Sequence, residues 1–204
     1  MNMDNNDCRG PVAIGTTASN ILIAGAPKQG KSTAVGTIVA SLKSCPEADG
    51  IRIISIDTTK PHLDADETLA SLCRELERRE DLRNVGVDIS GFPMIVAVVD
   101  EYSDLMDFGS RDFRRAVKEY VLRIAKEGPE VGMRLILSTR RPAQEMKALL
   151  EHFPTRMVFR VSDRKDSKML LKSEAAFWEL NGNGEMVLYD KGIISQCNIT
   201  SFIQ

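Results

Sequence analysis

The sequence predicts an α/β domain built on a mostly parallel central sheet, with helices on both faces and a β-hairpin at its C-terminal end. Three observations predict it. Short β-branched runs alternate with helical segments; one run, Met94 to Val99, is apolar at every position; and a glycine-bounded turn stands between the first run and its following helix. A strand that is apolar throughout is buried on both sides, which is the condition of a central parallel strand.

In order, Ile21 to Ala24 reads as a strand, Lys31 to Leu42 as a helix and Ile51 to Ile56 as a second strand ending at Asp57. Ala65 to Arg83, rich in Leu, Glu and Arg, reads as an exposed helix, and the glycine-punctuated stretch from Asn84 to Gly91 as a loop. Met94 to Val99 then ends abruptly in Asp100-Glu101. Helices near Arg111 to Lys126 and Ala143 to His152 alternate with strands at Arg134 to Thr139 and Arg156 to Val161. A short helix from Arg164 to Leu171 precedes a hairpin over Glu185 to Ile203, turning near Asp190-Lys191-Gly192. At the other end, residues 1–9 read as a polar tail and Gly10 to Gly15 as a short edge strand, so the expected domain spans 10–204.

Composition narrows the function. With 204 residues the chain has room for one such domain, and 27 Lys and Arg against 29 Asp and Glu give a net charge of −2. That balance excludes a protein coated in cation, so any contact with nucleic acid is local. Four cysteines, at 8, 45, 73 and 197, have neither CxxC nor metal-ligand spacing and are expected to be reduced thiols in the cytoplasm. His62 and His152 stand apart from other ligand types, so no zinc site is expected. No targeting segment and no apolar run long enough to cross a bilayer is evident, so direct membrane insertion is not expected. Phe177 and Trp178 are expected to pack a helix onto the core, and the nine methionines to fill it.

The chemistry concentrates at two places. Gly25-Ala26-Pro27-Lys28-Gln29-Gly30-Lys31-Ser32 matches G-x-x-x-x-G-K-[ST] between a strand and a helix, the context of the phosphate-binding loop of P-loop NTPases. Its backbone N–H groups, continuing into Thr33, face phosphate oxygens; Lys31 neutralises them, and the Ser32 hydroxyl suits Mg²⁺. Asp100 supplies a carboxylate for the same Mg²⁺, and Glu101 beside it is placed to orient and polarise water, which favours ATP hydrolysis over transfer to another acceptor. Thr139, at the next strand end, is a candidate polar sensor of the γ-phosphate. The implied cofactors are ATP and Mg²⁺.

The run from Pro93 to Met106 resembles the second nucleotide-site segment of the FtsK/SpoIIIE family of DNA translocases, including Tyr102 and Asp104-Leu105-Met106 after the acidic pair. Leu135 to Pro142, Pro154 to Ser167 and Gly184 to Tyr189 are similar to that family's sensor strand, its Pro-Thr-Arg segment and its closing Gly-Asp-Met-Leu stretch, in collinear order over Gly10 to Tyr189. The resemblance implies a RecA-like three-layer sandwich that assembles as a homo-oligomeric ring, a hexamer in the family, and pumps double-stranded DNA through its pore. By position it places Arg141 in one pore loop and Arg164, Lys165 and Lys168 in a second. Independently, residues 134–172 hold ten Lys or Arg against four acids, a local excess suited to sequence-independent phosphate contact.

Two departures stand out. Pro129 falls where the family carries its intersubunit arginine finger, leaving Arg123, Arg134 or Arg156 as candidates for that role, and Arg140 replaces the usual Gln. The layout is reminiscent of viral genome-packaging or mobile-element ATPases. The alternative reading is a protein-secretion ATPase of the EccC/EssC type, which shares the core but engages a peptide.

Overall fold

Among the described residues, seven strands form one sheet in the order β2 (Ile51–Ile56), β3 (Met94–Val99), β4 (Met133–Thr139), β1 (Ile21–Ala24), β5 (Thr155–Phe159), β6 (Glu185–Asp190) and β7 (Ile193–Asn198), whose first five members run parallel. The computed structural model describes residues 19–45, 48–56, 58, 64–107, 109–142 and 146–199. The expected polar tail, the edge strand over 10–15, Asp57 and the start of the helix expected at Ala143 lie outside the described residues.

The helices are α1 (Lys31–Ser44), α2 (Asp64–Asn84), α3 (Tyr102–Asp107), α4 (Arg111–Glu127), α5 (Arg164–Leu171) and α6 (Ala175–Trp178). Strand side chains alternate between faces, and each face of the sheet has its own apolar layer. Ile21 and Ile23 of β1 join Val96, Val98 and Ile136 beneath Ala34, Val35, Ile38 and Leu42 of α1. Leu22, Ala97, Val99, Leu135 and Leu137 face the other way, against Leu69, Leu72 and Leu76 of α2 and Val117, Val121 and Ile124 of α4. The result is the expected three-layer α/β sandwich with a mostly parallel sheet; β6 and β7 add antiparallel to β5 as the closing hairpin.

Asn20 ties the layers together just before β1. Buried at 1 % exposure, its side chain donates to Ala125 O (2.7 Å) at the end of α4 and to His152 O (3.0 Å), and accepts from Leu135 N (2.9 Å) of β4. Arg156 does similar work on β5, donating to the carbonyls of Phe153, Leu150 and Leu170 while its guanidinium lies over the Tyr189 ring.

One departure from expectation lies just before β5. In place of a helix through His152, residues 146–149 make turns and Leu150–His152 a single 3-10 turn. Pro154 has no N–H to give the Leu150 carbonyl, which accepts from Phe153 N (3.2 Å) and from Arg156 instead, and Phe153, fully buried, enters the core there. The short helix α3 was not expected, whereas α6 is the expected helix bearing Phe177 and Trp178. Phe177 packs partly against the core, but Trp178 is 67 % exposed, contrary to expectation. Cys45 and Cys73 are free thiols, whereas Cys197 is disulfide-bonded, against the expectation of four reduced cysteines.

Because three buried hydrogen bonds end on one amide, Asn20→Ala is expected to cost about 2–4 kcal/mol of unfolding free energy. Urea denaturation should show a lower midpoint at unchanged slope; a loss below about 1 kcal/mol would contradict this role.

Candidate nucleotide site

The phosphate loop runs from the end of β1 into α1. Gly25 has no room for a side chain: a Cβ there would meet the Phe159 Cβ at 2.7 Å. The loop is hung between neighbouring strand ends, with Gly25 N donating to Thr139 O (3.3 Å) and Ala26 N to Arg160 O (2.8 Å). Lys28 has φ 63 and Gly30 φ 111, left-handed conformations that turn the chain into the helix. Gly30 caps α1 without any side-chain bond to the helix N-terminus, so those first N–H groups stay available to an anion. Pro27 and Lys28 lie exposed at the loop's crest, and Thr33 is exposed on the first turn of α1.

Lys31 is only 7 % exposed, and its ammonium donates to Gly25 O (3.0 Å) and Ala26 O (3.2 Å) while lying 3.6 Å from Glu101 Oε2. Burial pulls its pKa below the ordinary lysine value, opposed chiefly by the Glu101 carboxylate and then by Asp100. Ser32 Oγ donates to Asp100 Oδ1 at 3.4 Å. The lysine-bearing loop and the acidic pair therefore meet at one end of the sheet. For Mg²⁺ the fit is chemical: the Ser32 hydroxyl and Asp100 carboxylate are hard oxygen donors side by side, and this ion ordinarily takes one or two protein ligands and completes its shell with water and phosphate oxygens.

The acidic pair is held from β4 and from Thr58. Ser138, fully buried, donates to Asp100 Oδ1 (2.8 Å) and accepts from Glu101 N (2.8 Å), and Thr58 Oγ1 donates to Asp100 O (2.8 Å). Glu101 has φ 73, a costly left-handed conformation for a side chain of this kind. Its carboxylate also accepts from Arg140 N (3.1 Å). The Arg140 guanidinium pairs with Asp104 (2.8 Å) and Asp107 (3.1 Å) of α3, and Arg141 with the same Asp107. Thr139 turns its buried hydroxyl to Ser103 Oγ (3.0 Å) and Arg141 N (3.1 Å). On the opposite wall, the turn before β6 presses on the loop: a Cβ on Gly182 (φ 91) would stand 2.8 Å from Gln29 Oε1.

Sequence reasoning missed Ser138, Thr58, Arg140 and Gly182 as parts of this site. A serine at the end of an apolar strand was the available signal for the first; Thr58 and Gly182 are brought in only by tertiary packing. The remaining sequence-predicted residues stand away from the phosphate loop. Arg164 and Lys168 of α5 both pair with Glu174, and Lys165 is exposed beside them. Arg123 pairs with Glu77, Glu80 and Glu127. Arg134 donates to Pro129 O (3.1 Å) and Met133 O (2.9 Å), and Arg156 is spent on the carbonyls named above.

A strand-loop-helix phosphate cradle facing a carboxylate pair at the C-terminal edge of a parallel sheet defines a P-loop ATPase. The sequence matches the FtsK/SpoIIIE family over residues 10–74. It is 28 % identical over 219 residues to the DNA translocase FtsK of Chlamydia trachomatis, covering 86 % of this chain and 27 % of that protein. It is also 31 % identical over 206 residues to the DNA translocase SftA of Bacillus subtilis, covering 84 % and 21 %. The chain is thus similar to the FtsK/SpoIIIE family, and spans about a quarter of the length of the curated relatives it matches.

Among solved structures, the pCW3 conjugation coupling protein TcpA superposes with TM-score 0.73 at 20 % identity, covering 89 % of this chain and 60 % of that one. The type VII secretion ATPase EccC of Thermomonospora curvata gives 0.71 at 20 %, covering 93 % and 26 %. A genome packaging NTPase of Sulfolobus turreted icosahedral virus 2 gives 0.56 at 18 %, covering 88 % and 96 %.

Ser138→Ala removes both the donor to Asp100 and the acceptor for Glu101 N. Losses of this kind around a metal ligand run to about 10–100-fold. The Mg²⁺-dependent part of nucleotide affinity is expected to fall by that factor, read by fluorescent-nucleotide titration with and without the metal, while metal-free binding holds. A fall in both alike would mean a general collapse of the loop.

Proposed function

We propose that this domain hydrolyses ATP and couples the cycle to movement along double-stranded DNA, as one subunit of a homo-oligomeric ring. The observation that carries the reading is the meeting of Lys31 and Ser32 with Glu101 and Asp100, at 3.6 and 3.4 Å, at one end of the sheet. Residues Gly25 to Thr33 would cradle the phosphates through their N–H groups, with Lys31 leaving its own loop carbonyls for the β- and γ-oxygens. Ser32 and Asp100 would hold Mg²⁺, which supplies charge neutralisation between the β- and γ-phosphates. Glu101 orients a water and accepts its proton as the new O–P bond forms and the bond to ADP breaks, releasing phosphate. Thr139 acts in this scheme through Arg141, whose N–H it accepts. ATP-analogue complexes of TcpA and of the viral packaging NTPase support nucleotide binding by the fold.

The DNA reading is supported by relatives that are themselves DNA translocases. It is supported also by the location of the candidate cations: Arg141 lies two residues beyond β4, and Arg164, Lys165 and Lys168 lie on the helix after β5, at the sheet end where the phosphate loop lies. For the arginine acting in trans, Arg134 is favoured: its guanidinium bonds to the carbonyl of Pro129, the position of the family's finger. Arg156 is disfavoured by its three internal carbonyls. Both proposed substrates place the work in the cytoplasm, and among the described residues no helix is long and apolar enough to cross a membrane. A hexamer is the family's expectation, and genome packaging or mobile-element transfer the proposed setting. The second reading, a secretion ATPase, is favoured by one observation, the EccC superposition over 93 % of the chain.

Steady-state phosphate release with and without linear duplex DNA separates the two. Duplex is expected to raise turnover several-fold, and Glu101→Gln to lower kcat by about 10²–10⁴ with nucleotide binding retained. A rate indifferent to duplex but raised by a secretion-signal peptide would overturn the DNA reading and leave the ATPase standing.

A further inference from the structure

Four donors converge on one carboxylate beyond β5. Arg164 reaches Glu174 with Nε (3.1 Å to Oε2) and Nη2 (2.8 Å to Oε1), Lys168 Nζ lies 2.8 Å from Oε1, and Trp178 Nε1 donates to Oε2 at 2.9 Å. The platform is rigid. Ala176 N donates to the buried Ser167 hydroxyl of α5 (3.1 Å), Val161 N donates to Ala176 O (3.1 Å), and Phe177 packs edge-on against the Trp178 ring at 4.7 Å. Arg164 lies over that ring, 5.9 Å from its centre. Yet the assembly faces solvent: Arg164 and Lys168 are more than half exposed and Trp178 is 67 % exposed.

A planar arginine fork, an ammonium and an indole N–H aimed at one point are the donor set for a two-oxygen anion, and a phosphodiester presents the same pair of oxygens as a carboxylate. An exposed indole beside it offers a flat apolar surface to a sugar or base. We propose that Arg164, Lys168 and Trp178 form a seat for one backbone phosphate of duplex DNA, and that Glu174 occupies this seat when no DNA is bound. The inference rests on the DNA reading above and adds to it the site's internal competitor. The four donors hold the Glu174 carboxyl at about 2, so it is a full anion at any working pH. Exposed ion pairs are individually weak in water. A polyanion can displace Glu174, but every phosphate contact made here must first undo a contact the chain makes with itself. Arg141, paired to Asp107, faces the same competition at the neighbouring loop.

The test is a salt series of fluorescent-duplex binding to the full chain. Glu174→Gln keeps the side-chain shape and leaves its backbone bonds to Phe177 N and Trp178 N intact, so folding is preserved. It is expected to bind duplex about 3–10-fold more tightly at low salt. The slope of log K against log salt should steepen by about 1–2, since each freed cation adds about 0.9. The double variant Arg164→Ala/Glu174→Gln should lose the gain. Asp112→Asn, which removes the same charge from exposed α4, should stay within about twofold of the parent.

If the parent binds duplex and E174Q binds no more tightly, or D112N gives an equal gain, the seat is overturned and the DNA reading survives. If no version binds duplex while ATP is still hydrolysed, both fall. Inorganic phosphate binding to E174Q below about 1 mM, with no gain for duplex, would mean a free-anion site and likewise overturn the proposal.

Discussion

The two halves of the phosphate site belong to strands that are not neighbours. Asp100 and Glu101 close β3, the lysine-bearing loop leaves β1, and β4 runs between them. At about 4.8 Å per strand, the ends to be joined stand roughly 10 Å apart, beyond direct bonding of backbone to backbone. The site therefore depends on β4. Ser138 reaches Asp100 and Glu101 on one side, and Thr139 O holds Gly25 N on the other. Side chains close what remains, Lys31 towards Glu101 and Ser32 towards Asp100. The left-handed Glu101 is tolerable for the same reason. Its N–H, turned out of the ladder, is taken by Ser138, and its carboxylate by Arg140 N.

Much of this was legible in the sequence because it is local. The phosphate loop is a contiguous motif, and β3 declares itself by being apolar at every position up to an acidic stop. The illegible parts arise where distant segments share hydrogen bonds. The chain closes in a 3-10 turn at Leu150 because Pro154 has no N–H for the Leu150 carbonyl, which Phe153 N and the Arg156 guanidinium take instead. Trp178 lies out in solvent because its N–H has a carboxylate partner there. Ser138 could be read as an ordinary strand residue, and only the register of β4 between β3 and β1 gives it two partners.

The cation excess over residues 134–172 means less than its count. Arg156 is buried, Arg140 and Arg141 are matched by Asp104 and Asp107, and Arg164 and Lys168 share Glu174. Asp104 and Asp107 lie outside the counted window, on a helix that follows Asp100 and Glu101 directly, so the window overstates the free charge. Four of the ten cations, Arg140, Arg141, Arg164 and Lys168, are thus already paired with acids, and on the proposed DNA reading their engagement would depend on the density of negative charge offered.

The same economy governs Lys31. A buried ammonium with no partner would cost several kcal/mol, and the loop avoids that cost by turning its own Gly25 and Ala26 carbonyls inward. This contact folds the loop around its own cation, so in the proposed binding a phosphate would replace two carbonyls and a carboxylate around one nitrogen. Burial lowers the lysine's pKa while Glu101 and Asp100 raise it. A triphosphate carries more negative charge than both carboxylates, so one bound at Lys31 would favour the charged form and compete with Glu101 for the ammonium. In the proposed hydrolysis, the carboxylate that pairs with Lys31 is then the one released to face the γ-phosphate, which is the condition for it to take a proton from water.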